Sequence, residues 1–240
     1  MTMTESGGRH GFQDALDDLR MDVIRLAALV TEAIGAGTHA LLDADLALVD
    51  QVITDDRQIN DLNHHIELGA YRLLAMQQPT AGDLRAVLAV LRILHEIQLS
   101  ADLMVTTAKA ARRLYPQELP PRVRGILERM GEQAQVQMRA AVDAFADGDL
   151  ALAAALPDMD DVMDDLQKDL FRAILSSDKL DEGILQRAVQ MALVGRYYER
   201  VADHAVQIGR WVAFMVTGEL PRPSDEPSAA SWKCAGSMTV

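Results

Sequence analysis

An all-α fold, made of two tandem three-helix bundles related by an internal repeat, is what this sequence predicts. Three observations carry that expectation. Aromatic residues are only 4% of the chain while Ala, Leu, Val and Met are abundant, a balance that favours helix over sheet. Apolar residues recur at alternating three- and four-residue steps, the spacing of one helix face. The pattern then occurs a second time at a fixed offset.

The first helix is expected over 12–42, where Phe12, Leu16, Leu19, Val23, Leu26, Val30 and Ala33 form one stripe. The second and third are expected over 46–77 and 82–113, parted by Pro79 and Gly82, residues that break helices. Pro116, Pro120 and Pro121 make a joint before the fourth helix, 122–147. The fifth, 149–176, carries Pro157 near its start, where a kink is expected. The sixth, 181–217, has an unbroken seam of Met191, Val194, Tyr198, Val201, Ala205, Ile208, Val212 and Met215, and closes at Gly218, Pro221 and Pro223. Shifted by 104, Ala40, Asp43, Asp45, Leu46, Ala47 and Leu48 fall on Ala144, Asp147, Asp149, Leu150, Ala151 and Leu152, and Asp56, Asp61 and Leu62 fall on Asp160, Asp165 and Leu166. The third helix of each half aligns at a shift of 101. The expected organisation is a flexible segment at 1–11, a first bundle at 12–115, a second at 121–219, and a tail at 220–240 too poor in apolar residues to order.

Charge and composition exclude whole classes of function. A net charge of −13 repels phosphate backbones and anionic lipid over most of the surface, so no nucleic-acid partner is expected. No apolar run reaches the roughly 18 residues of a membrane span, so no membrane insertion is expected. MTMTESGGRH lacks the apolar centre of a signal peptide, and the one cysteine, Cys234, has no partner for a disulfide. A cytoplasmic protein fits.

The chemistry is concentrated in carboxylates. Glu199 and Asp203 lie four residues apart on the sixth helix, off its seam, where like charges one turn apart cost about 0.2 to 0.5 kcal/mol. A solvated acidic face offset by Arg196 and Arg200 would explain one such pair. The fifth helix, however, holds Asp160 and Asp164 at the same spacing, flanking its own stripe of Met159, Met163, Leu166 and Leu170. If the two helices are neighbours, four carboxylates converge and call for a hard cation with oxygen ligands. The first half repeats the constellation in weaker form, Asp56 with Asn60 and Gln98 with Asp102. Amide oxygens bring no charge, so this first-repeat site is expected to be weaker or empty.

These halves, with QQPTAGDLRAVLAVLR entering the third helix and GRYYERVADHAVQIG in the sixth, resemble the PhoU family over about residues 12–220. That family's signature is Glu or Asp followed four residues later by Asp on the second and third helices of each repeat. Asp160 with Asp164 and Glu199 with Asp203 match it, while Asn60 and Gln98 depart from it. The resemblance implies clusters of divalent or trivalent cations at the matching positions, with Fe, Mn, Mg and Zn not distinguished. It also implies a homodimer and no catalytic residues. The implied role is a negative regulator of the phosphate-starvation response, peripheral to the inner face of the plasma membrane through its partners. Those partners are the ATPase subunit of the phosphate ABC transporter and a sensor histidine kinase.

Two other readings compete. A carboxylate-bridged di-iron enzyme would use Glu-x-x-His steps, and no Glu here has His three residues later. A purely structural helical adaptor would leave the acids solvated. His64, His65 and His204 could join a metal site, whereas His39 and His95 have no acidic partner at a convincing spacing. Arg112, Arg113, Arg122 and Arg124 bracket the proline joint and read as helix-end charge or a docking patch.

Overall fold

The computed structural model describes residues 4–76, 79–116, 118–176 and 182–221. Six helices follow in order: α1 (Thr4–Leu42), α2 (Leu46–Met76), α3 (Ala81–Leu114), α4 (Pro121–Asp147), α5 (Leu150–Leu175) and α6 (Glu182–Thr217). Five agree with the apolar stripes to within one residue at each end. The exception is α1, which starts eight residues before its stripe and makes 4–11 helical where a flexible segment is expected. Extending a nucleated helix costs little per residue, so a stripe marks where a helix is held rather than where it begins. From residue 222 onward the expected tail lies outside the described residues.

The helix ends are set by local chemistry that repeats between the halves. Asp45 Oδ1 accepts the backbone N–H groups of Ala47 and Leu48 at 2.9 and 3.1 Å, and Asp149 Oδ1 accepts those of Ala151 and Leu152 at 2.8 and 3.1 Å, so one aspartate caps each second helix. The residue before each cap is left-handed: Gly148 with φ 64° in the second half, and Ala44 with φ 51° in the first. Thr80 and Asp83 form a capping box on α3. Helix α5 continues through Pro157. That proline has no N–H to give Ala153, and the carbonyl of Ala153 lies where a Cβ on Gly209 of α6 would come within 3.0 Å.

Each half packs as a three-helix bundle, and the bundles join along α1 with α4 and α3 with α6. Both joints are antiparallel. Along α3 and α6, Arg92 stacks on Trp211 at 5.3 Å, Glu96 meets His204, and Arg113 meets Gln190. These pairings place a pseudo-two-fold axis between α3 and α6 at the level of Ala101 and Ala202, which are equivalent residues of the two halves. One continuous apolar core runs through both bundles. Its buried hydroxyls Thr31, Thr38, Ser100 and Thr107 each donate to the carbonyl one turn back, at 2.7 to 2.9 Å, leaving no donor stranded.

Candidate metal centre

Packing of α5 against α6 brings the four second-repeat acids to one groove. On α5, the spacing from Asp160 to Asp164 keeps both on the side next to α6, and the apolar Met163 and Leu166 pin that helix into the core. On α6, Glu199 and Asp203 flank the buried Tyr198, Val201 and Ala202. Asp160, Glu199 and Asp203 are half-buried and Asp164 is exposed. A fully solvated acidic face is therefore not what this pair of helices presents.

Burial raises the pKa of three carboxyls of the groove, Asp160, Glu199 and Asp203. It pushes the Asp160 carboxyl up to about 6, against a hydrogen bond from Gln137 and with the charges of Asp203, Asp164 and Asp161 adding. It pushes Glu199 up to about 7, with the charges of Asp203 and Asp164 adding and Arg196 opposing. Asp203 is raised by burial too, though Arg196, His204 and Arg200 restrain it. Arg196 donates to Glu199 Oε1, yet Glu199 Oε2 is buried with no partner. A buried, unpaired carboxylate oxygen is expensive to keep. Among the described residues, no three His, Cys, Asp or Glu side chains are gathered into a ready-made ligand set.

Sequence reasoning missed one member of this groove. Gln137 of α4 is fully buried and donates from Nε2 to Asp160 Oδ1 at 3.3 Å, leaving its own Oε1 without a partner. Its signal was an amide beside Met138 in the apolar stripe of Met130, Ala134 and Ala141, where nothing polar belongs unless something meets it. The equivalent position of the first half is Ala33.

In the first repeat the four predicted residues also meet, between α2 and α3, where amide donors fill part of the role a cation would have and Asp56 Oδ1 and Gln98 Oε1 are left buried without a partner. Asn60 Nδ2 donates to Asp56 Oδ2 at 2.8 Å, and Gln98 Nε2 donates to Asn60 Oδ1 at 2.7 Å and to Asp102 Oδ1 at 3.3 Å. Burial raises Asp56, while the Asn60 bond and the Lys109 charge restrain it.

His204 stays out of the second-repeat groove. His204 is buried in the seam between bundles, its Nδ1 2.7 Å from Glu96 Oε2, because on α6 it points a third of a turn away from Asp203. His64 and His65 are exposed on α2. Much of the basic patch at the joint is taken up internally: Arg112 pairs with Asp50, Arg124 with Asp43 and the Leu42 carbonyl, and Arg113 donates to Gln190 at 3.4 Å.

The model of the PhoU domain matches this chain twice, over residues 23–111 and 127–212. The chain belongs to the PhoU family. Among its relatives is the phosphate-specific transport system accessory protein PhoU homolog 1 of Mycobacterium leprae, 36% identical over 92% of this chain and 99% of that protein. PhoU homolog 2 of Mycobacterium tuberculosis is 37% identical over 89% of this chain and 100% of its own length. Among solved structures, PhoU from Pseudomonas aeruginosa superposes with a TM-score of 0.81 at 29% identity, covering 87% of this chain and 100% of that one. The phosphate transport system regulatory protein PhoU from Streptococcus pneumoniae gives 0.80 at 26% identity, over 88% and 99%. The twofold match falls on the two bundles described above, and these PhoU relatives are named as accessory and regulatory proteins rather than enzymes. Among the described residues, no helix of this PhoU-family chain is long and apolar enough to cross a membrane.

Proposed function

We propose that this PhoU-family chain is a metal-binding negative regulator of the phosphate-starvation response, an adaptor between the phosphate ABC transporter and a sensor histidine kinase. The names of its relatives support the phosphate-transport setting. The metal role is supported by one observation above all: Glu199 Oε2 is buried without a partner in a groove of raised carboxylates. Asp160, Asp164, Glu199 and Asp203 are the ligands of this reading. Oxygen ligands suit Fe, Mn, Mg or Zn. The bound cation supplies positive charge, fixing α5 against α6 and making partner affinity depend on occupancy. In the first repeat Asn60 and Gln98 already supply donors, so a cation there competes with formed hydrogen bonds and binds more weakly. Partners in this reading are the transporter's ATPase subunit, the kinase and a second copy of the chain, and its place is the cytoplasmic face of the membrane.

Joint replacement Glu199→Gln and Asp203→Asn tests the ligand assignment. Bound metal, measured by elemental analysis after reconstitution, falls at least tenfold while circular dichroism keeps the helical signal. Unchanged metal content removes the assignment.

A further inference from the structure

The repeat has kept something besides its acids. On α3, Leu84 and Leu88 are 40% and 41% exposed, and the equivalent residues of α6, Leu185 and Val189, are 55% and 48% exposed. The neighbouring helices add Tyr71 on α2 and Leu175 on α5, again equivalent positions and again exposed. These are large apolar side chains left in water at matching places in two halves whose acidic positions have diverged, Asn60 against Asp164 and Gln98 against Glu199. Isolated exposed apolar residues need no reason, but clusters of them mark contact surfaces.

Leu84 and Asp102 are five helical turns apart and so share one face of α3, as Leu185 and Asp203 share one face of α6. Because α3 and α6 lie antiparallel about the pseudo-two-fold axis, both faces belong to one surface. Along it the order is Leu84 and Leu88, then Arg210, then the two acidic groups beside the axis, then Lys109, then Leu185 and Val189. At 1.5 Å per residue the apolar ends stand about 45 Å apart. The pattern reads the same from either end.

A pattern of that kind selects its occupant. A second copy laid face to face sets cation against cation and acid against acid, which opposes pairing through this surface. A partner with two-fold symmetry of its own meets both ends at once, and gains from the second contact without needing any new kind of contact. We propose that the α3–α6 surface docks a homodimeric protein, one apolar socket of which takes Leu84 and Leu88 while the other takes Leu185 and Val189. Acidic groups of that partner face Arg210 and Lys109, and its axis coincides with the pseudo-axis of this chain. The proposal rests on the adaptor reading above, which supplies the probe.

The test uses the purified ATPase subunit of the phosphate transporter, as its ATP-bound dimer and as the nucleotide-free monomer, titrated against the full chain by calorimetry. One chain binds one dimer, with affinity about thirty-fold or more above that for the monomer. Leu84→Glu with Leu88→Glu, and separately Leu185→Glu with Val189→Glu, each abolish that gain while the helical signal is kept. Val136→Glu, at an exposed position on α4, leaves it intact. If the native chain binds but the end variants bind equally well, the surface is wrong and the adaptor reading stands. Equal affinity for monomer and dimer overturns the two-fold mode. A native chain that binds neither form rejects the adaptor reading and this proposal with it. Self-association that Leu84→Glu dissolves gives the surface to a second copy instead.

Discussion

At single residues, the two halves act as controls for one another. Each first turn carries a left-handed residue between two aspartates, and the second half uses Gly148 there while the first uses Ala44. An L-residue with a Cβ costs roughly 1 to 2 kcal/mol in that conformation, part of which glycine returns as extra freedom of the unfolded chain. Ala44→Gly is therefore expected to stabilise the protein by about 0.5 to 1 kcal/mol, raising its melting temperature by about 1 to 4 °C in thermal circular dichroism. A lower melting temperature contradicts the left-handed assignment at Ala44.

Pairs of helices show how a groove differs from a face. Sequence spacing puts Asp160, Asp164, Glu199 and Asp203 beside their apolar stripes, but only the packing of α5 on α6, with Gln137 reaching in from α4, half-buries Asp160, Glu199 and Asp203 while Asp164 stays exposed. The consequence has a definite sign. Asp160 and Glu199 hold their protons to about 6 and about 7 in the folded chain, above the ordinary values of free Asp and Glu. Between those ordinary values and pH 7 the folded state binds more protons than the unfolded state, so stability falls as pH rises through this window and levels off above it. Urea titrations of metal-stripped protein from pH 4 to pH 8 should show that decline, and Glu199→Gln should flatten its upper part. A stability that climbs from pH 5 to pH 7 by the amount these groups control would contradict their burial. Added divalent cation should restore the high-pH loss by taking the place of the protons.

Across the whole molecule, the seam between bundles depends on close approach at a few points. Gly131 of α4 lies against Thr38 of α1, where a Cβ would come within 2.4 Å of Oγ1, 2.6 Å of Cγ2 and 3.0 Å of Cβ. Thr38 has little freedom to yield, since its hydroxyl is 2.8 Å from the Tyr198 hydroxyl and donates to the Ile34 carbonyl. Gly131→Ala is expected to cost about 1 to 3 kcal/mol through this overpacking, read as a lower urea midpoint. Gly125, with nothing within 4 Å of its Cβ position, provides the contrast: Gly125→Ala should be neutral or stabilising by about 0.5 to 1 kcal/mol. The helices, their order, the repeat and the identity of both acidic sets were legible in the sequence, because apolar period, helix-breaking prolines and glycines, and four-residue spacing are local properties of a chain. Three things waited for the tertiary structure. His204 proved to bond Glu96 across the seam, Gln137 proved to touch Asp160, and the first-repeat amides proved to bond to one another and to the neighbouring aspartates. Each depends on which faces of distant helices meet and how far water is excluded between them, and those are decided by packing in three dimensions, about which spacing along one helix carries no information.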